Sequence, residues 1–164
     1  MDNITYSYFM NILGIDPGYG TCGFAVIKKD KNKLTLVDYG AITTKPQEYF
    51  PVRLQEIAED IQHLLDTYQP EIVGIEDLFF VQNVTTGLQV AEVRGIISYL
   101  SHTAGAKIIE PKPVEVKSSF CGNGKATKTE MKKMAQITFG LEKKPKVDDA
   151  ADAIAVAHFA ATIL

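Results

Sequence analysis

The stretch ILGIDPGYGTCGFAVI, residues 12–27, decides the fold. Ile12 to Ile15 is a short apolar run, Asp16-Pro17-Gly18 turns the chain, and Gly23 to Ile27 is apolar again. Pro17, Gly18 and Gly20 are turn punctuation, so the pattern predicts a hairpin with a glycine-rich loop and an aspartate ending its first strand. Outward from this hairpin, Leu34 to Ile42 predicts a third strand with Leu34, Leu36 and Val37 on the core side. Upstream, residues 1–10 form a short extension. They lack a basic segment followed by an apolar one, so they do not predict a signal peptide.

Helical spacing of Leu54, Ile57, Ala58, Ile61, Leu64 and Leu65 predicts a helix from Val52 to Tyr68, stopped by Pro70. Ile72 to Ile75 is an apolar run without alternation, as in a strand buried on both faces. A second helix is predicted from about Thr86 to His102, a last strand from Lys107 to Ile109, and a short helix near Val114 to Phe120. Gly122-Asn123-Gly124 breaks the chain. Thr129 is the expected N-cap of a helix reaching Phe139, and a final helix covers about Asp148 to Ile163. This order predicts a single α/β domain spanning residues 1–164, with a five-stranded mixed sheet flanked by helices.

The chain has 164 residues, 46% of them hydrophobic, enough for a substantial core. No apolar run approaches the roughly 20 residues that span a bilayer, so no membrane association is expected. Cys22 and Cys121 are too few for a disulfide framework, and a reducing cytoplasmic setting is expected. The net charge is −3. Lys107 to Lys146 nevertheless holds ten Lys against four Glu, a balance of +6 that leaves −9 for the remainder. An acidic pocket beside a basic segment suits an enzyme acting on phosphates.

Four acids stand out. Asp16 and Glu76 end apolar strands, and strand ends are where sites form in open α/β sheets. Asp149 and Asp152, three residues apart in VDDAADAIAVAHFAA, share one face of a helix whose small apolar residues must pack on the sheet. Three of them have a plainer reading. Asp16 could be a turn former, Glu76 a solvated strand end, and Asp148 and Asp149 helix-start residues. Asp152, inside an alanine-rich helix, resists such a reading. Hard oxygen donors without His or Cys select Mg²⁺ or Mn²⁺, and clustered carboxylates suit two ions about 4 Å apart in a phosphoryl displacement.

ILGIDPGYGTCGFAVI, LVDYGAI, IEDLFFVQNVTTGLQVAEVRG, the Val116-Lys117 segment before CGNGKATK, and DDAADAIAVAH occur in order across nearly the whole chain. Together they resemble the RuvC family of Holliday-junction resolvases. The resemblance implies a ribonuclease-H-like fold and a homodimer. It implies cleavage of two opposed strands of four-way junction DNA, leaving 5′-phosphate and 3′-hydroxyl ends. Asp16, Glu76, Asp149 and Asp152 match the family's metal-binding catalytic acids, with Mg²⁺ the implied cofactor. Asp148 matches no catalytic position and is assigned to the helix start. Lys117 and Lys128 match basic residues near the scissile phosphate, and Lys125 is placed with them as a DNA contact. Phe79 matches an aromatic that stacks on a base near the crossover, with Phe80 assisting. Arg94 and Ile97 lie on the helix implied to face the dimer partner. A branch-migration motor complex of the RuvA and RuvB type is the implied partner. His158 is left out of the site as a packed histidine.

Three rivals stay open at this stage. An actin- or hexokinase-type nucleotide-binding domain would also place glycines after a strand aspartate. A ribonuclease-H-fold nuclease acting on other DNA or RNA would share the four acids. A junction-binding protein without catalysis would have no use for the carboxylates.

Overall fold

The computed structural model describes residues 9–77 and 84–163. Strands β1 (Phe9–Asp16), β2 (Thr21–Asp30) and β3 (Lys33–Thr43) precede helix α1 (Phe50–Tyr68). Strand β4 (Ile72–Ile75), helix α2 (Val84–Thr103) and strand β5 (Lys107–Ile109) follow. Helices α3 (Pro113–Cys121), α4 (Lys128–Phe139) and α5 (Asp148–Thr162) complete the chain. The expected order of elements is borne out. β1 begins at Phe9, so two residues assigned to the N-terminal extension belong to the strand.

The five strands form one sheet in the order β3-β2-β1-β4-β5. The first three pair antiparallel, whereas β1–β4 and β4–β5 are parallel. β1, at the centre, therefore has an antiparallel neighbour on one side and a parallel one on the other. Alternation along the strands builds two cores. Leu13, Ile15, Val26, Val73 and Ile75 face α1 and α2, meeting Ile57, Ile61, Val93 and Ile97. Ala25 and Ile27 face α3, α4 and α5, meeting Val116, Phe120, Met131 and the alanines of α5. Residues buried in α5 run almost without interruption from Ala150 to Ala157, because the helix lies against the sheet with α3 and α4 packed around it.

Two expectations are corrected. Val37 is exposed, not core. The β2–β3 register passes from Val26↔Asp38 to Ile27↔Leu36, so Val37 is the extra residue of a β-bulge. The bulge flips the alternation, leaving Leu34 and Leu36 on the α5 face and Ile42 on the α1 face. The N-cap of α4 is Thr127, not Thr129. Thr127 Oγ1 accepts from the Glu130 N–H at 3.3 Å, and Glu130 Oε2 accepts from the Thr127 N–H at 2.7 Å. This reciprocal pair satisfies two otherwise orphaned donors and makes Lys128 the first residue of the helix.

Candidate active site

Asp16 is the last residue of β1, and Glu76 directly follows β4. The Glu76 N–H donates to the Ile15 carbonyl at 3.1 Å, extending the parallel pairing and setting the two acids at neighbouring strand ends. Asp149 and Asp152 come from the first turns of α5. Two glycines let that helix reach the strands. A Cβ on Gly14 would lie 2.3 Å from the Ala157 nitrogen, and one on Gly23 would lie 1.9 Å from the Asp149 carbonyl oxygen. Backbone meets backbone at both points, so any side chain would push α5, and its aspartates, away from the sheet.

Carboxylate oxygens of Asp16, Asp149 and Asp152 lie within 4.8 Å of one another. Glu76 stands outside this trio but within electrostatic reach of it. Burial, reinforced by the charges of Glu76, Asp152 and Asp149, holds the Asp16 carboxyl well above the usual carboxylate range. Burial and the Asp152 charge push Glu76 up to about 7, against the pull of Lys117. Burial also raises Asp152 and Asp149. Such shifts mark carboxylates taken out of water beside one another, with too little positive charge among them to offset the burial. The donors are hard oxygens, with no His or Cys in the trio, which fits a divalent cation of the Mg²⁺ class.

Two of the expected lysines lie at the rim. Lys117, half-buried on α3, acts on Glu76 and Asp152. Lys128 acts on Asp16, Asp149 and Asp152. Lys125 is exposed in the turn between α3 and α4, where its N–H donates to Asn123 Oδ1 at 2.9 Å. Phe79 and Phe80 lie outside the described residues. Arg94 is bound within the chain, to Asp77 at 3.2 Å and to Glu110. Ile97 is fully buried in the core between α2 and the sheet. Its expected place at a dimer surface is corrected, because its side chain has no surface left to meet a partner. His158 is packed against Phe120 and Phe139, as expected.

Two residues make contacts that the sequence does not announce. Arg53 is buried, donating from Nε to Thr44 Oγ1 at 2.8 Å and from Nη2 to the Tyr19 carbonyl at 3.0 Å. It thereby ties the loop after Asp16 to α1. The available signal was its spacing, one helical turn before Ile57 on the apolar stripe of α1. Asp148, assigned only to the helix start, carries ion pairs to Lys128 and Lys132 on α4. No sequence periodicity links residues sixteen and twenty positions apart on different helices.

A mixed sheet in this order, with acids at its central strand ends and on a helix laid across them, defines a nuclease of the ribonuclease-H-like fold. The chain belongs to the RuvC family, whose model, described as "Crossover junction endodeoxyribonuclease RuvC", matches residues 12–159. Its relatives of that name include those of Petrotoga mobilis, 41% identical, and Heliobacterium modesticaldum, 43% identical. Each match spans 148 residues, 90% of this chain and 91% of the relative. Among solved structures, T. thermophilus RuvC in complex with Holliday junction substrate superposes with a TM-score of 0.84 at 30% identity, covering 92% of each chain. The yeast mitochondrial Holliday junction resolvase Ydc2, at 15% identity and a TM-score of 0.65, shares the fold. Family membership sets aside the actin- or hexokinase-type reading.

Proposed function

We propose that this chain is a structure-specific DNA endonuclease that resolves Holliday junctions by paired, symmetric nicks in two strands of like polarity, in DNA recombination and repair. The observation that carries the proposal is the convergence of Asp16, Asp149 and Asp152 within 4.8 Å at the strand ends of a RuvC-family chain. In this reading residues 1–164 form one nuclease domain acting in the cytoplasm as a homodimer, alongside a branch-migration complex of the RuvA and RuvB type. A two-fold dimer matches the near two-fold symmetry of a four-way junction.

Asp16, Asp149 and Asp152, with Glu76 beside them, would hold Mg²⁺, two ions per site, with Mn²⁺ able to substitute. When bound, the ions supply an activated water and stabilise the leaving 3′ oxygen. Once ionised, the four carboxylates would repel DNA phosphate, and a bound cation would offset that charge. Lys117 and Lys128 place ammonium groups at the rim, where the scissile phosphate would carry its charge. Lys125 extends that basic rim to the neighbouring backbone, and Phe79 with Phe80 would stack on bases at the crossover. Hydrolysis adds the water oxygen to phosphorus and breaks the P–O3′ bond. The 3′ oxygen leaves with a proton, giving 5′-phosphate and 3′-hydroxyl ends.

Replacing Asp16 with Asn tests the site. Cutting should fall by more than the roughly 10–100-fold that loss of an outer-shell partner costs, with junction binding retained. Loss of junction binding together with intact cutting of linear duplex would contradict the proposal.

A further inference from the structure

We infer that Asp148 is a positioning residue that holds the Lys128 ammonium at the rim of the acid cluster, with Lys132 holding Asp148 in turn. This rests on the assignment of Lys128 to the site. Lys128 opens α4 and Asp148 opens α5, so two helix N-termini face each other. Asp148 Oδ2 lies 3.1 Å from Lys128 Nζ, and Oδ1 lies 2.7 Å from Lys132 Nζ. Lys132 Nζ also donates to the Lys146 carbonyl at 2.8 Å, in the loop that leads into α5. The two lysines differ in freedom, since the Lys132 side chain is 21% exposed and that of Lys128 is 70% exposed. Lys132 is thus the enclosed end of the chain of contacts and Lys128 the solvent-facing one.

Three physical arguments assign the role. An exposed lysine has a long flexible stem, and only a directed partner restricts where its charge sits. A cation at a helix N-terminus is opposed by the helix dipole, so Lys128 needs a local anion to stay there. Asp148 is also distinct from its neighbours chemically. Its carboxylate lies against Lys132 and Lys128, whereas that of the adjacent Asp149 lies in the acid trio. One acid at the start of α5 serves cations of the protein, and the next faces the pocket.

A double-mutant cycle of Asp148→Ala and Lys128→Ala, measured as single-turnover junction cleavage at saturating enzyme, tests this. Asp148→Ala should slow cleavage by about two- to fivefold, the range an exposed ion pair supports, with junction affinity unchanged. The same substitution should have no further effect in the Lys128→Ala background, and Asp148→Glu should restore part of the rate. An equal loss in both backgrounds would show a role that bypasses Lys128 and overturn the proposal. An Asp148→Ala protein as fast as, or faster than, the wild type would also overturn it. A wild-type rate for Lys128→Ala would refute the assignment of Lys128 itself, and the inference with it. Lys132→Met, which keeps Asp148, supplies a second arm should Asp148→Ala fold poorly, with the same dependence on Lys128 expected.

Discussion

At the scale of single residues, the pocket acids make stability depend on pH and metal together. Glu76 is raised to about 7, and Asp16, Asp149 and Asp152 are raised as well. Between the ordinary carboxylate range near pH 4 and about pH 7, the folded chain therefore binds more protons than the unfolded one. Stability falls as pH rises through that window. His158, lowered by burial, works in the opposite sense, as do Asp148 and Glu130 weakly, their charges being screened by solvent. The metal-free protein should thus melt at a lower temperature near pH 8 than near pH 5.5, and Mg²⁺ should raise the melting point more at the higher pH. Asp16→Asn should melt above the wild type near pH 8 without metal and show a weaker response to Mg²⁺. Thermal melts on the two proteins check this, and equal pH slopes would contradict it.

At the scale of elements, the site depends on how closely α5 lies on β1 and β2. Gly23→Ala would place a methyl group against the Asp149 carbonyl, where no side chain can yield. Overpacking of this kind costs about 1–3 kcal/mol or more. Cleavage should fall further than stability alone explains, because Asp149 and Asp152 move with the helix. Denaturant melts beside single-turnover rates measure both, and unchanged cleavage with a destabilised fold would argue against this dependence. The same elements show what the sequence made legible. Strand-end acids and the i, i+3 pair Asp149 and Asp152 could be placed because alternation and helical spacing act locally. Val37 could not, because a bulge depends on the partner strand's register. Thr127 was missed although its signal was local: Glu130 three residues on completes the capping box. Arg53 sits on an apolar stripe by virtue of the loop it binds, and the contacts of Asp148 exist only once α4 and α5 pack. Glu76 continues the β1–β4 register one step past Ile15↔Ile75, level with Asp16, and its separation from the tight trio is not legible in chain spacing.

At the scale of the whole molecule, the antiparallel β1–β3 ribbon and the parallel β1–β4–β5 half meet at β1, and the acids gather where they meet. Helix α2 covers the opposite face from α5 and keeps Leu88 and Tyr99 exposed while burying Val93 and Ile97. A second copy facing α2 would therefore meet the exposed residues and not Ile97. Among the described residues, no helix is long and apolar enough to cross a membrane. The basic segment from Lys107 to Lys146 lies on β5, α3, α4 and the loop before α5, bringing Lys117 and Lys128 to the pocket rim. Positive charge at the rim beside negative charge within suits the proposed phosphodiester substrate and divalent cation. The most direct test is cleavage of a synthetic four-way junction with and without Mg²⁺, beside a linear duplex of the same sequence. Mg²⁺-dependent, symmetric nicks in two strands of the junction and an intact duplex are expected. Metal-independent cutting, or equal cutting of both substrates, would contradict the proposed function.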